Sequence, residues 1–155
     1  MHKKNLDNEK RFVLAAKALA DSRMRNLPTN LGGSNCPILV EGKRDRELLK
    51  RLNFIGPIEL VNRGWSLDRL VTHLTEIWGK KNKIDGRGSL ILLMDWDRTG
   101  GRLQRTLLTQ FEALDVKVDQ SCRAVLLKCL KPETRTVEGI NSLTNILLEL
   151  MNQFN

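Results

Sequence analysis

The stretch Leu90-Ile91-Leu92-Leu93-Met94-Asp95-Trp96-Asp97-Arg98-Thr99-Gly100-Gly101 decides the fold. Leu90 to Met94 is the most apolar run in the chain and lacks polar alternation, which is the pattern of a parallel strand covered on both faces. Two acids, Asp95 and Asp97, follow it directly, and Gly100-Gly101 then open a helix whose stripe is Leu103, Leu107, Leu108, Phe111 and Leu114. A buried strand that ends in carboxylates and turns into a helix is the unit of an α/β fold whose ligands bind beyond the strands' carboxyl ends.

The same grammar repeats on either side. Upstream, Ile38 to Val40 is a short apolar run ending in Glu41-Gly42, followed by a helix opened by Asp45 and carrying Leu48, Leu49 and Leu52. Ile58 to Val61 is a second run, and Asn62-Arg63-Gly64 is a loop. Ser66 is the N-cap of a helix striped by Leu70, Val71, Leu74, Ile77 and Trp78. Downstream, Val116 to Val118 reads as a fourth strand. Cys122, Val125, Leu126, Cys129 and Leu130 have helical spacing, though a strand is also open for so short a segment. A last helix runs from about Asn141, with Leu143, Ile146, Leu147, Leu150, Met151 and Phe154 facing inward. Strands alternating with helices imply right-handed crossovers and a mainly parallel sheet.

The N-terminal portion is of another kind. From Leu6 to Leu27 the residues Phe12, Ala15, Ala16, Leu19, Ala20 and Met24 recur at helical steps, and PTNLGGSN (Pro28 to Asn35) reads as a linker. The expected division is an extra N-terminal helix with linker over 1–35 and an α/β domain over 36–155. That helix could pack on its own domain, or dock a protein partner or a second copy in a homodimer.

Composition narrows the class. The chain has 155 residues, 41% hydrophobic and 28% charged, with no apolar run near the roughly 20 residues of a membrane span and no apolar signal core. A cytoplasmic protein with no membrane association is expected. Cys36, Cys122 and Cys129 have no CxxC spacing, which predicts reduced, buried thiols rather than a disulfide framework or a zinc site. With only His2 and His73, chemistry built on several histidines is not expected. The formal charge of +8 is uneven: residues 1–30 carry +4, residues 31–110 carry +5 and residues 111–155 carry −1. The excess favours a polyanionic partner such as RNA or DNA.

If the first and third strands are neighbours, Glu41, Asp95 and Asp97 project into one crevice. Two carboxylates about 6 Å apart at an effective dielectric of about 20 repel by roughly 3 kcal/mol, so such a cluster calls for a cation. Oxygen ligands without His or Cys point to Mg²⁺, with Mn²⁺ as a substitute. The free amides at Gly100 and Gly101, with Lys43, Arg44, Arg98 and Arg102, are the candidate phosphate or nucleic-acid contacts. Trp78 lies on a core stripe. Trp65 and Trp96 fall on loops near strand ends, where base stacking and partial core cover are both open, core cover being favoured.

Two motifs, ILVEGKRD (Ile38 to Asp45) and LILLMDWDRTGG, together resemble the Toprim domain of topoisomerases, bacterial-type primases, old-family nucleases and the ribonuclease that matures 5S ribosomal RNA. The family pattern is a Glu after the first strand and DxDxxG after the third; Glu41, Asp95, Asp97 and Gly100 match it. The later TRTVEGI (Thr134 to Ile140) is similar to the ending of small stand-alone archaeal Toprim proteins. The resemblance implies a Rossmann-like, four-stranded, mainly parallel sheet between helices. It also implies Asp95 and Asp97 as Mg²⁺ ligands and Glu41 as a further ligand or the general acid/base in phosphodiester chemistry. In topoisomerases an acid often follows the motif's glycine, where this chain has Gly101. With no tyrosine in the chain, a tyrosyl-phosphate intermediate is excluded for this polypeptide alone. Primases and topoisomerases surround the unit with further domains for which 155 residues have no room. Nuclease-like or primase-like phosphoryl transfer, or a non-catalytic nucleic-acid-binding or adaptor role, is left. A minor alternative is a haloacid-dehalogenase-type phosphatase, whose DxDxT signature fits Asp95 to Thr99. That reading leaves Glu41 idle and finds no adjacent acidic pair after Thr99.

Overall fold

A computed structural model describes residues 2–155, with side chains from Asp7 onward; the first residues of the expected N-terminal segment lie outside the described ones. Four strands, β1 (Ile38–Val40), β2 (Ile58–Leu60), β3 (Leu90–Leu92) and β4 (Val118–Asp119), form one sheet in the order β2-β1-β3-β4. Every pairing is parallel, so the sheet is wholly rather than mainly parallel. Among the described residues six α-helices flank it: α1 (His2–Asn26), α2 (Lys43–Arg51), α3 (Leu67–Trp78), α4 (Arg98–Ala113), α5 (Ser121–Leu130) and α6 (Thr144–Met151). This is a Rossmann-like α/β arrangement.

Strand geometry sends alternate residues to opposite faces. Ile38, Val40, Ile91 and Leu93 enter one core with α1, α2, α5 and α6. Leu39, Leu90, Leu92 and Met94 enter the other with α3 and α4. Both layers are fully buried at these positions, which is why the runs are apolar without alternation. The helix α1 buries Ala15, Ala16, Leu19 and Ala20 against α5 and α6. Its last residue is tied to the sheet: the Asn26 side-chain amide donates to the Cys36 and Pro57 carbonyls and accepts from the Gly56 amide.

Several element ends differ from the sequence reading. The third strand stops at Leu92, yet Leu93 and Met94 continue buried, and the Leu93 amide donates to Leu39 O. The fourth strand is Val118–Asp119 rather than Val116–Val118, because its register is set by pairing Val118 with Leu90 and Asp119 with Ile91. Residues 121–130 are helical, which settles the helix-or-strand alternative there. The last helix starts at Thr144 after a 3-10 segment, Glu138–Leu143, and Ile146 and Phe154 are exposed. Met24, Ile77 and Leu114, expected to face inward, are also exposed, since each lies at the margin of its helix stripe. The three cysteines are free and buried. No helix among the described residues is long and apolar enough to cross a membrane.

Candidate functional site

β1 and β3 are neighbours, so the residues that follow them emerge at the same mouth of the sheet. The contact is direct: the Asp95 backbone N–H donates to Glu41 Oε2 at 2.9 Å. Asp95 is held on two further sides. Its Oδ1 accepts the Val137 N–H at 2.8 Å, and its carbonyl accepts from Arg123 Nη2 at 3.0 Å. The TRTVEGI segment is therefore the wall of this site. Trp96 reinforces that wall: its backbone N–H donates to Arg135 O at 2.8 Å and its indole N–H to Thr134 O at 2.7 Å. Trp96 is 6% exposed, so it is core cover and not a stacking platform. Trp65 is half-buried, with the Arg69 guanidinium 4.0 Å from its ring centre and His73 edge-on at 4.9 Å.

Two adjoining hollows flank the Asp95–Asp97 loop. The first, about 450 Å³, is lined by Glu41, Asp45, Asp95 and Glu138, with Lys43, Arg44 and Asn62. The second, about 580 Å³, lies between α4 and α5 and holds Asp97, Arg98, Gly101, Arg102, Arg105 and Arg123. Glu41 and Asp95 thus share the acidic crevice, while Asp97 faces the basic one. Asp97 is the N-cap of α4, and its Oδ1 accepts the Gly100 N–H at 2.7 Å. Among the described residues no three His, Cys, Asp or Glu side chains are grouped to hold one metal ion. Lys43 and Arg44 are exposed on the first turn of α2, and Arg44 Nη1 is 3.6 Å from Glu138 Oε1.

Asp45, Glu138, Arg105 and Arg123 are site residues that the sequence reading does not select. Arg105 has a signal, being the i+7 partner of Arg98 and the i+3 partner of Arg102 on one helix. Asp45 reads from the sequence only as a helix opener; it is 7% exposed, and its Oδ2 accepts the Gly42 N–H at 3.0 Å. Arg123 reaches the site from α5 with no local spacing to mark it, whereas Glu138 lies within TRTVEGI, whose resemblance marks the segment but not the residue.

The electrostatics follow from this crowding. Burial pushes the Glu41 carboxyl up to about 7, with the Asp95 charge adding to it and the hydrogen bond from the Asp95 amide opposing it. Burial likewise raises Asp45, assisted by the charges of Asp95 and Glu138 and opposed by the Gly42 N–H. Burial lowers Arg123, while Asp95, Glu41 and Asp97 act to keep it charged.

A stability prediction results for Glu41→Gln. The folded-state value of Glu41 lies above its ordinary 4.5, so as pH rises from about 4.5 to about 7 the unfolded chain releases this proton first. Folded stability falls across that window and the loss is constant above it. Gln keeps an acceptor for the Asp95 amide but carries no charge. Glu41→Gln is expected to be more stable than wild type by roughly 1–3 kcal/mol at pH 8 and equal to it at pH 4. Urea unfolding at both pH values is the measurement; equal midpoints at pH 8 would show that Glu41 bears no such penalty.

No family model matches the chain. A UPF0292 protein of Methanosarcina barkeri is 32% identical over 109 residues, covering 70% of this chain and 68% of the relative. One of Methanocaldococcus jannaschii is 28% identical over 109 residues, 70% of this chain and 78% of its own. One of Thermoplasma volcanium is 33% identical over 86 residues, 56% and 65% respectively. A solved structure from Aquifex aeolicus shares the fold, with TM-score 0.54 and 21% identity over 77% of this chain and 93% of that one.

Proposed function

The chain belongs to the UPF0292 family, and from the geometry of its own crevice we propose that it is a small Toprim protein that binds Mg²⁺ and acts on nucleic-acid phosphodiesters. The observation that carries this is the meeting of Glu41 and Asp95 at the carboxyl ends of two adjacent parallel strands, with Asp45 buried beside them.

The donor set can be weighed against the cation. Mg²⁺ is ordinarily held by one or two carboxylates and completes its shell with water and substrate phosphate. Glu41 and Asp95 fit that mode: backbone amides engage Glu41 Oε2 and Asp95 Oδ1, and the two carboxyl groups lie side by side, close enough to share a proton or a cation. An all-protein cage does not fit. Asp95 would hold the ion with Glu41 beside it, and Asp97, on the other side of the loop, stays the cap of α4. When bound, Mg²⁺ supplies charge neutralisation at the reacting phosphate. Glu41 is then either a second ligand or the group that takes or gives the proton of the attacking or leaving oxygen, and Arg123 and Val137 fix the position of Asp95. The cytoplasm is the compartment this function implies.

To test it, labelled RNAs and DNAs are incubated with Mg²⁺ or Mn²⁺ and wild type, Glu41→Gln or Asp95→Asn. Each substitution is expected to lower turnover by about 10²-fold or more, and calorimetric Mg²⁺ titration should lose its signal in Asp95→Asn. Unchanged cleavage in both variants would remove the catalytic role. The second reading, a non-catalytic nucleic-acid-binding or adaptor module, is favoured by the use of Asp97 as a helix cap. It predicts saturable binding with no turnover by wild type.

A further inference from the structure

Resting on the phosphodiester reading, we propose that the cleft between α4 and α5 is an anion subsite for a phosphate of the bound strand. The strand then leaves the acidic crevice across α4 and α5 rather than across α2.

The two sides of the Asp95–Asp97 loop differ in charge balance. On the α2 side, Lys43 and Arg44 share their hollow with Glu41, Asp45, Asp95 and Glu138, and Arg44 is already beside Glu138 at 3.6 Å. A phosphate there meets more carboxylates than cations. On the α4–α5 side, four arginines line a cleft of about 580 Å³ whose one carboxylate, Asp97, has an oxygen committed to the Gly100 amide. Arg98, Arg102 and Arg105 stand at i, i+4 and i+7 of α4. Among the described residues none of the three is within ion-pair distance of a carboxylate. Guanidinium groups gathered without paired acids repel one another, and a phosphate relieves that repulsion with charge-assisted, bidentate hydrogen bonds.

The back wall of the cleft is built of polar groups held in place. Gln104 is 3% exposed, and its amide nitrogen donates to Gln120 Oε1 at 3.3 Å. That leaves the Gln120 amide N–H groups as donors with no partner among the described residues. Arg123 Nε and Nη2 are spent on the Met94 and Asp95 carbonyls, and its Nη1 has no partner among the described residues. One side chain thus touches both the peptide that carries the reactive acid and the anion cleft. A phosphate seated here places its neighbour along the strand toward Glu41 and Asp95.

The test is strand binding measured without chemistry. Fluorescein-labelled single-stranded RNA and DNA are titrated by anisotropy in EDTA over a salt series. The proteins are wild type, Arg102→Gln/Arg105→Gln, and the control Lys80→Gln/Lys81→Gln, which removes the same charge at the opposite end of the sheet. All four residues are exposed, so folding is expected to be kept and is checked by Tm. The arginine variant is expected to bind about tenfold more weakly, with a salt slope shallower by about 0.7 for each phosphate that the variant no longer neutralises. The control is expected to stay within twofold of wild type. Equal weakening in the two variants, or none in the arginine variant, overturns the subsite. Inorganic pyrophosphate that binds wild type as tightly as the strand does would make it a free-phosphate pocket and overturn the strand assignment. Selective weakening in the arginine variant without any cleavage by wild type removes the catalytic reading and leaves the subsite; cleavage with unaffected binding does the reverse.

Discussion

Arg25→Met is expected to lower stability by about 3–5 kcal/mol in chemical unfolding. The Arg25 side chain is 3% exposed and holds three partners at once. It forks onto Asp85 at 2.8 and 3.0 Å, reaches Asp119 Oδ2 at 3.1 Å, and donates to the Gly88 carbonyl at 2.7 Å. Removing the guanidinium leaves Asp85 without its ion pair and Asp119 with Arg87 alone, at 3.4 Å, which costs more than the pair contributes net. The pH dependence carries a sign that checks the cause. The hydrogen bond from Arg25 pulls Asp85 down to about 2, against burial, so the stability it contributes is present above its ordinary 3.8 and is lost as pH falls through about 2. The difference between wild type and variant should therefore narrow between pH 4 and pH 2. A loss under about 1 kcal/mol would show that α1 is not bound to the sheet through this network. Partial rescue by Asp85→Asn in the Arg25→Met background would identify the stranded charge as the source. The consequence extends to the site, because Asp119 Oδ1 also accepts the Ser121 amide at the start of α5, the helix that carries Arg123.

Gly100→Ala is expected to damage the site more than any neighbouring exchange. A Cβ at Gly100 would lie 2.1 Å from the Asp95 carbonyl oxygen and 2.8 Å from Asp95 Cβ, so either α4 or Asp95 must move. The strain of such overpacking is typically 1–3 kcal/mol, partly offset by the roughly 1 kcal/mol that Ala gains over Gly in a helix. The effect on turnover is larger than on stability: a displacement of about 1 Å at a reacting group can cost about 10²-fold. Gly101→Ala is the control. Its Cβ would meet only Arg123 Nη2, at 3.6 Å, an ordinary contact, so stability should be unchanged or raised by up to about 1 kcal/mol. If the two alanines behave alike, Gly100 is not needed for the approach of α4 to Asp95. The sequence presents both glycines as phosphate-binding amides, and only the structure separates them.

How much of the site can be read in advance depends on how local its cause is. Glu41 and Asp95 are legible because each directly follows an uninterrupted apolar run, and a buried parallel strand has to end where polar side chains resume. Ser66 is legible as a cap, since its hydroxyl meets the Arg69 amide within one turn. Asp97 is legible as an acid after a strand, but its engagement as the cap of α4 depends on a backbone orientation that residue spacing does not encode. Arg123 is invisible, because α5 carries its interior stripe on Cys122, Leu126 and Cys129, and nothing in that stripe says the arginine turns toward β3.

The amino-acid sequence by itself determined the class of fold, the central place of the Leu90 run and the mouth at which acids gather, because hydrophobic periodicity and strand-to-helix order act over a few residues at a time. Tertiary structure alone decided that the carboxylates and arginines separate into an acidic crevice and a basic cleft on either side of one loop. It also decided that residues 134–137 form a wall of the former and that α1 is joined to the sheet through Arg25. These outcomes rest on contacts between residues 28 to 94 positions apart, whose partners are chosen by packing and charge compensation once the sheet has formed.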